Sequence, residues 1–233
     1  MAFPTTPLLD DFSRAAEGPP PSASWNGTYS CWPGRSSAML KVNASQQLVT
    51  NGGEASMATN YFDTSYGPDS EAYVTVVTRP NNYGWTGLFC RVQAGGVDTS
   101  YYAAMYNSSD SAGTLQIFKR VTGTGTQLGA DVSFWLTAGD RIGLAVVGSA
   151  TTTVNFYRKP AAGSWTLIAT RDDSSSPITG AGFIGVLSDI NGVLDDFGGG
   201  AVRGIASPLY VYGNPDVAGR VIGPGQIWPT VTL

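Results

Sequence analysis

From residue 38 to residue 197 the chain repeats one local pattern: a run of five to eight residues rich in Val, Ile, Tyr, Phe and Thr, then a break of Gly, Asn, Asp, Ser or Pro. The runs fall at Ala38–Val42, Gln46–Thr50, Ser56–Phe62, Ala72–Arg79, Gly87–Gln93, Ser100–Tyr106 and Thr114–Val121. They continue at Thr126–Asp131, Arg141–Val147, Thr152–Arg158, Trp165–Thr170, Ala181–Leu187 and Val193–Phe197. Short strands punctuated this often predict an antiparallel all-β sandwich or barrel. Composition agrees, since 30 glycines and 14 prolines stand beside only three glutamates and three lysines, which starves helices. At 233 residues the chain has material for one sizeable core rather than two.

Period-two alternation sharpens the expectation. Leu88, Cys90 and Val92 are expected on one face against Phe89, Arg91 and Gln93, and Trp165, Leu167 and Ala169 against Thr166, Ile168 and Thr170. Ile142, Leu144 and Val146 alternate with Gly143, Ala145 and Val147, apolar on both sides as in a central strand. Leu8 to Arg14 reads as a first strand, followed by a loop holding Pro19-Pro20-Pro21. At Gly198-Gly199-Gly200 the strand pattern is expected to break. Residues 1–203 therefore form the expected sandwich and residues 204–233, with four prolines among apolar residues, an extended arm. An arm carrying Leu209, Tyr210, Val211, Ile227 and Trp228 is too apolar for a linker and is expected to dock on its own sandwich or a neighbouring subunit.

Several chemistries are excluded by what the chain lacks. Without a single histidine there is no Ser-His-Asp or Cys-His relay and no histidine-ligated zinc. A net charge of −4 without a Lys/Arg cluster removes the attraction on which nucleic-acid binding rests. No apolar run approaches the roughly 18–20 residues of a membrane span, and the N-terminus has neither the basic region nor the apolar core of a signal peptide. Cys31 and Cys90 are expected as free thiols. None of Glu17, Glu54 and Glu71 sits in a Glu-x-Asp-x-x-Glu pattern, so hydrolysis of glycosides is not expected.

The tripeptide Asp-Asp-Phe occurs at residues 10–12 and again at 195–197; the first is followed by Ser-Arg, a Gly/Pro loop and Trp25. With Glu71-Ala-Tyr-Val-Thr-Val-Val-Thr-Arg79 and Gly180-Ala-Gly-Phe-Ile-Gly-Val186, this pattern resembles the concanavalin A-like, laminin-G-like jelly rolls of phage virion proteins, particularly the minor tail proteins of actinobacterial phages. The resemblance implies a two-sheet jelly roll with its first and last strands side by side. It also implies a non-enzymatic virion component, assembled in the host cytoplasm from subunits that dock on other virion proteins, with a homotrimer as one arrangement. Capsid decoration and a free-standing carbohydrate-binding module or divergent glycosidase are the alternatives.

Some jelly rolls of this kind hold calcium through an acidic residue in the last strand, which makes Asp11 and Asp196 the candidate Ca²⁺ ligands. Binding a host-surface polysaccharide needs a flat aromatic face with amides beside it. The segment Asn81-Asn82-Tyr83-Gly84-Trp85 offers both, and Tyr102 and Tyr106 are the further candidates. The competing expectation is that Trp85 closes the core and the tyrosines cover a sheet face.

Overall fold

A computed structural model describes residues 3–26, 39–51, 57–80, 84–93, 99–108 and 113–203. Among them are sixteen strands and no helix. In chain order these are β1 (Leu8–Asp10), β2 (Trp25–Asn26), β3 (Leu40–Val42), β4 (Leu48–Thr50), β5 (Ala58–Phe62), β6 (Ser70–Thr78), β7 (Trp85–Val92) and β8 (Tyr101–Ser108). There follow β9 (Gly113–Val121), β10 (Thr124–Gln127), β11 (Val132–Ser133), β12 (Arg141–Val147), β13 (Thr152–Lys159), β14 (Thr166–Asp173), β15 (Phe183–Ser188) and β16 (Val193–Ala201). They form two antiparallel sheets, a jelly-roll sandwich. The first runs β14-β13-β12-β6-β16-β4-β3 with β1 on β16, the second β10-β9-β8-β7-β15-β5-β2 with β11 on β9.

Between the sheets lies the main core, where Val74 and Val76, Leu88, Leu115, Ile142 and Leu144, Phe156 and Val186 meet. The paired Asp-Asp-Phe segments have a structural role in it. β1 lies against β16 with Asp10 opposite Phe197, and Phe12 and Phe197 both pack on the buried Trp25, at ring distances of 5.9 and 4.8 Å. Trp25 Nε1 donates to Asp10 Oδ2 at 2.7 Å, and Arg14 pairs with the other Asp10 oxygen at 2.6 Å, so this aspartate is buried but fully partnered.

Three expectations need correction. The triple glycine does not end the last strand. Gly198, Gly199 and Gly200 lie opposite Tyr73, Ala72 and Glu71 on β6, and β16 runs on to Ala201. A Cβ on Gly198 would sit 2.1 Å from the Tyr73 ring, so glycine is what lets that ring lie on the strand. The alternation of two other strands is broken by bulges. Phe156 and Tyr157 pair with Ala169 and Leu167, leaving Ile168 as an extra residue, so Leu167 turns to solvent at 50% exposure while Ala169 enters the core. In β7, Arg91 has φ 54° and the pairing with β15 shifts there, which moves Val92 from the side of Leu88 and Cys90 to that of Phe89. Cys90 is a free, buried thiol; Cys31 and the arm at 204–233 lie outside the described residues.

Candidate functional site

Of the residues chosen from sequence, the described Trp85 packs on one apolar cluster and Tyr102 and Tyr106 belong to another. Asn81, Asn82 and Tyr83 lie outside the described residues. Trp85 is half-buried and packs on an apolar cluster formed by Met57, Phe89, Met105 and Leu187 on the outer face of the second sheet. Tyr102 and Tyr106, expected at a sugar surface, are both 0% exposed, and a ring without an open face cannot stack on a pyranose. Tyr106 lies edge-on to Phe134 in the core. The Tyr102 hydroxyl donates to Asp173 at 2.7 Å and accepts from the Ile178 N–H, and burial with that carboxylate pushes its pKa up to about 12.

The two expected calcium ligands each have partners within the chain. Asp11 is exposed and its carboxylate accepts the Ser13 N–H, an Asx turn. Asp196 Oδ2 is held by Arg141 Nη2 at 2.7 Å and by the Thr75 hydroxyl at 3.1 Å, so a guanidinium already answers its charge. Burial and the carboxylates of Asp196 and Asp11 raise the pKa of Asp195. Among the described residues no three His, Cys, Asp or Glu side chains gather in a metal-binding group.

What the fold does assemble is an aromatic groove on the outer face of the first sheet. Strand by strand, Leu167 on β14, Tyr157 on β13, Gly143 on β12, Tyr73 on β6 and Gly198 on β16 stand in one row. Gly143 leaves a gap in that row, and Phe3 fills it: a Cβ at Gly143 would be 2.3 Å from the phenyl ring. Phe3 stacks on Tyr157 at 4.2 Å with the planes 5° apart, and Trp165 meets Phe3 edge-on at 4.8 Å. The segment carrying Phe3 is fastened to the sheet, because the Thr6 hydroxyl donates to the buried Glu71 carboxylate at 2.7 Å and the Thr5 N–H and hydroxyl donate to the same oxygen. Burial raises the pKa of both Tyr73 and Tyr157, so the groove's phenols are neutral donors at ordinary pH.

Phe3, Tyr157, Lys159, Gly163, Ser164, Trp165 and Leu167 line a groove of about 550 Å³. That is within the few hundred to a thousand Å³ of small-ligand sites. By contrast, the hollow on the second sheet between Asn60, Tyr61, Phe89 and Tyr101 measures about 20 Å³, room for little more than a water. None of the three groove aromatics, Phe3, Tyr157 and Trp165, is among the candidates that the sequence offers. Alternation groups Trp165 and Leu167 with Ala169, and the bulge at Ile168 that parts Leu167 from Ala169 is invisible to it. The signal was present in Gly163-Ser164-Trp165, a loop glycine beside a tryptophan that no turn requires, the same reasoning that pointed to Trp85.

No family model matches the chain, and a search of curated proteins finds no relative by sequence. Solved structures do resemble it. A legume lectin-like domain from Entamoeba histolytica matches with a TM-score of 0.52 at 9% identity, over 71% of this chain and 88% of that one. The CBM2 module of the evolved Dit of Lactobacillus casei BL23 phage J-1 matches with a TM-score of 0.50 at 9% identity, over 81% and 91%. The carbohydrate-binding module CBM66 of Bacillus subtilis matches with a TM-score of 0.47 at 13% identity, over 77% and 93%. At such identities the likeness is one of fold, the jelly roll of lectins and carbohydrate-binding modules.

Proposed function

We propose that this chain is a non-catalytic glycan-recognition subunit of a phage virion, a minor tail protein that meets host-surface polysaccharide through the groove of Phe3, Tyr157 and Trp165. The observation that carries the reading is the groove itself. It pairs a half-exposed tryptophan and an exposed leucine with a serine hydroxyl and an ammonium, which suits the apolar face and the hydroxyls of a sugar ring. Among the described residues its lining offers rings, a hydroxyl and an ammonium, the groups that bind a sugar, rather than the two carboxyl groups that glycoside hydrolysis uses. The phage setting is supported by the resemblance of the Asp-Asp-Phe segments to virion jelly rolls and by the shared fold of a phage Dit module. In this reading residues 204–233 dock on neighbouring virion subunits.

The test is retention of the purified protein on isolated bacterial cell-envelope polysaccharide. Trp165→Ala is expected to weaken saturable binding about tenfold, the order set by loss of an aromatic contact of about 1.4 kcal/mol. Trp85→Ala is expected to bind as the parent does. Retention lost in Trp85→Ala and kept in Trp165→Ala would overturn the groove and move the site to the β6–β7 loop.

A further inference from the structure

We infer that the ligand of this groove carries an anionic group, a carboxylate or a phosphate ester, seated against the Lys159 ammonium. The inference rests on the groove being a glycan site and adds the class of glycan. Lys159 closes β13 and stands directly opposite Arg141 on β12, so the two cations share one face of the sheet at adjacent positions. Like charges placed so are unfavourable unless answered. Arg141 is answered, by Asp196 at 2.7 Å. Lys159 is not: among the described residues no carboxylate lies within ion-pair distance of it, which is also true of Lys41, Arg79, Arg171 and Arg203, but of these five cations Lys159 is the one in the groove lining.

The surroundings of Lys159 make this an unusual place for an unanswered charge. It is half-buried in a wall of Tyr157, Trp165 and Leu167, with Ser164 as the neighbouring polar side chain. A ligand anion in the groove would supply the counter-charge that Lys159 lacks. The chain as a whole carries 17 acidic against 13 basic residues, so its overall charge does not favour a polyanion and attraction has to be local. The stacked rings supply the apolar face of the site and Lys159 its polarity.

Binding is measured on isolated cell-envelope polysaccharide in three forms: native, carboxyl-reduced and dephosphorylated. Lys159→Gln is expected to weaken binding to the native polymer about fivefold at low salt, with the difference fading near 0.5 M salt as screening takes over. Lys159→Arg restores it. Whichever chemical treatment reproduces that loss in the parent protein identifies the anion as carboxylate or phosphate. If Lys159→Gln and both treated polymers bind as the native pair does while Trp165→Ala fails to bind, the anionic assignment is overturned and the glycan groove stands. If Trp165→Ala binds normally, the groove reading fails and this inference with it.

Discussion

Two buried cations lie in the same region of the sandwich, and they show how the molecule tolerates charge in its interior. Arg91 is fully buried, and its guanidinium donates to the carbonyls of Pro68, Ile178 and Gly148 and to the Thr152 hydroxyl, so its donors are satisfied by three separate segments of the chain. Lys119 bonds Asp173 at 2.9 Å and the Ser175 carbonyl. Burial alone would raise the Asp173 pKa, but the bonds from Lys119 and Tyr102 outweigh it and hold the carboxyl below the usual range. A depressed native pKa contributes stability above the unfolded value of about 3.9, and loses it as pH falls through the lower native one. Unfolding free energy should therefore drop on acidification below about pH 4, and Asp173→Asn should flatten that part of the profile. Lys119→Met should cost about 3 kcal/mol in denaturant titration at pH 7, because it strands a buried carboxylate. None of this was legible in the sequence. A lysine, an aspartate and a tyrosine spread over 71 residues carry no local sign of meeting, and Tyr102 looked like a surface ring because tyrosine's hydroxyl suits either a ligand or a buried carboxylate.

At the level of elements, strand existence was legible and strand register was not. Arg141–Val147 was read from its apolar run to the residue, and most other boundaries fall within two residues, because Gly, Asn and Pro mark where ladders stop. Bulges shift the register by a single residue and leave no mark in composition, so Leu167 and Val92 were assigned to the wrong faces, and with Leu167 went the groove. Gly198-Gly199-Gly200 failed in the opposite direction, since glycine usually weakens a strand. Here Gly199, at φ +151°, has no room for a side chain: a Cβ would stand 2.3 Å from the Glu71 carbonyl oxygen and 2.5 Å from Ile184 Cδ1. Gly199→Val should thus disrupt the pairing of β16 with β6, the seam that also carries β1, and prevent recovery of soluble protein. Gly67, with open space around it, should accept Ala with an unchanged melting temperature. Equal melting temperatures for the two variants would show that the glycine run is not required for the strand.

For the whole molecule, the proposed function divides the work between the sandwich and residues 204–233. Both sheets, the main core and the groove are built within residues 3–203 among the described residues. A chain ending at Arg203 is therefore expected to unfold cooperatively and to retain envelope polysaccharide as the full chain does. If residues 204–233 dock on neighbouring subunits, the same truncation should abolish incorporation into particles when it replaces the full-length protein during virion assembly. The two assays separate the roles: polysaccharide retention reports on the groove, and incorporation on the arm. Particles that take up the truncated chain at the normal level would remove the docking role and leave the sandwich itself, or its outer apolar surfaces, to make the contacts with its neighbours. Uptake lost together with polysaccharide retention would instead place the arm in the folding of the sandwich, and the measured melting temperature would have to fall with it.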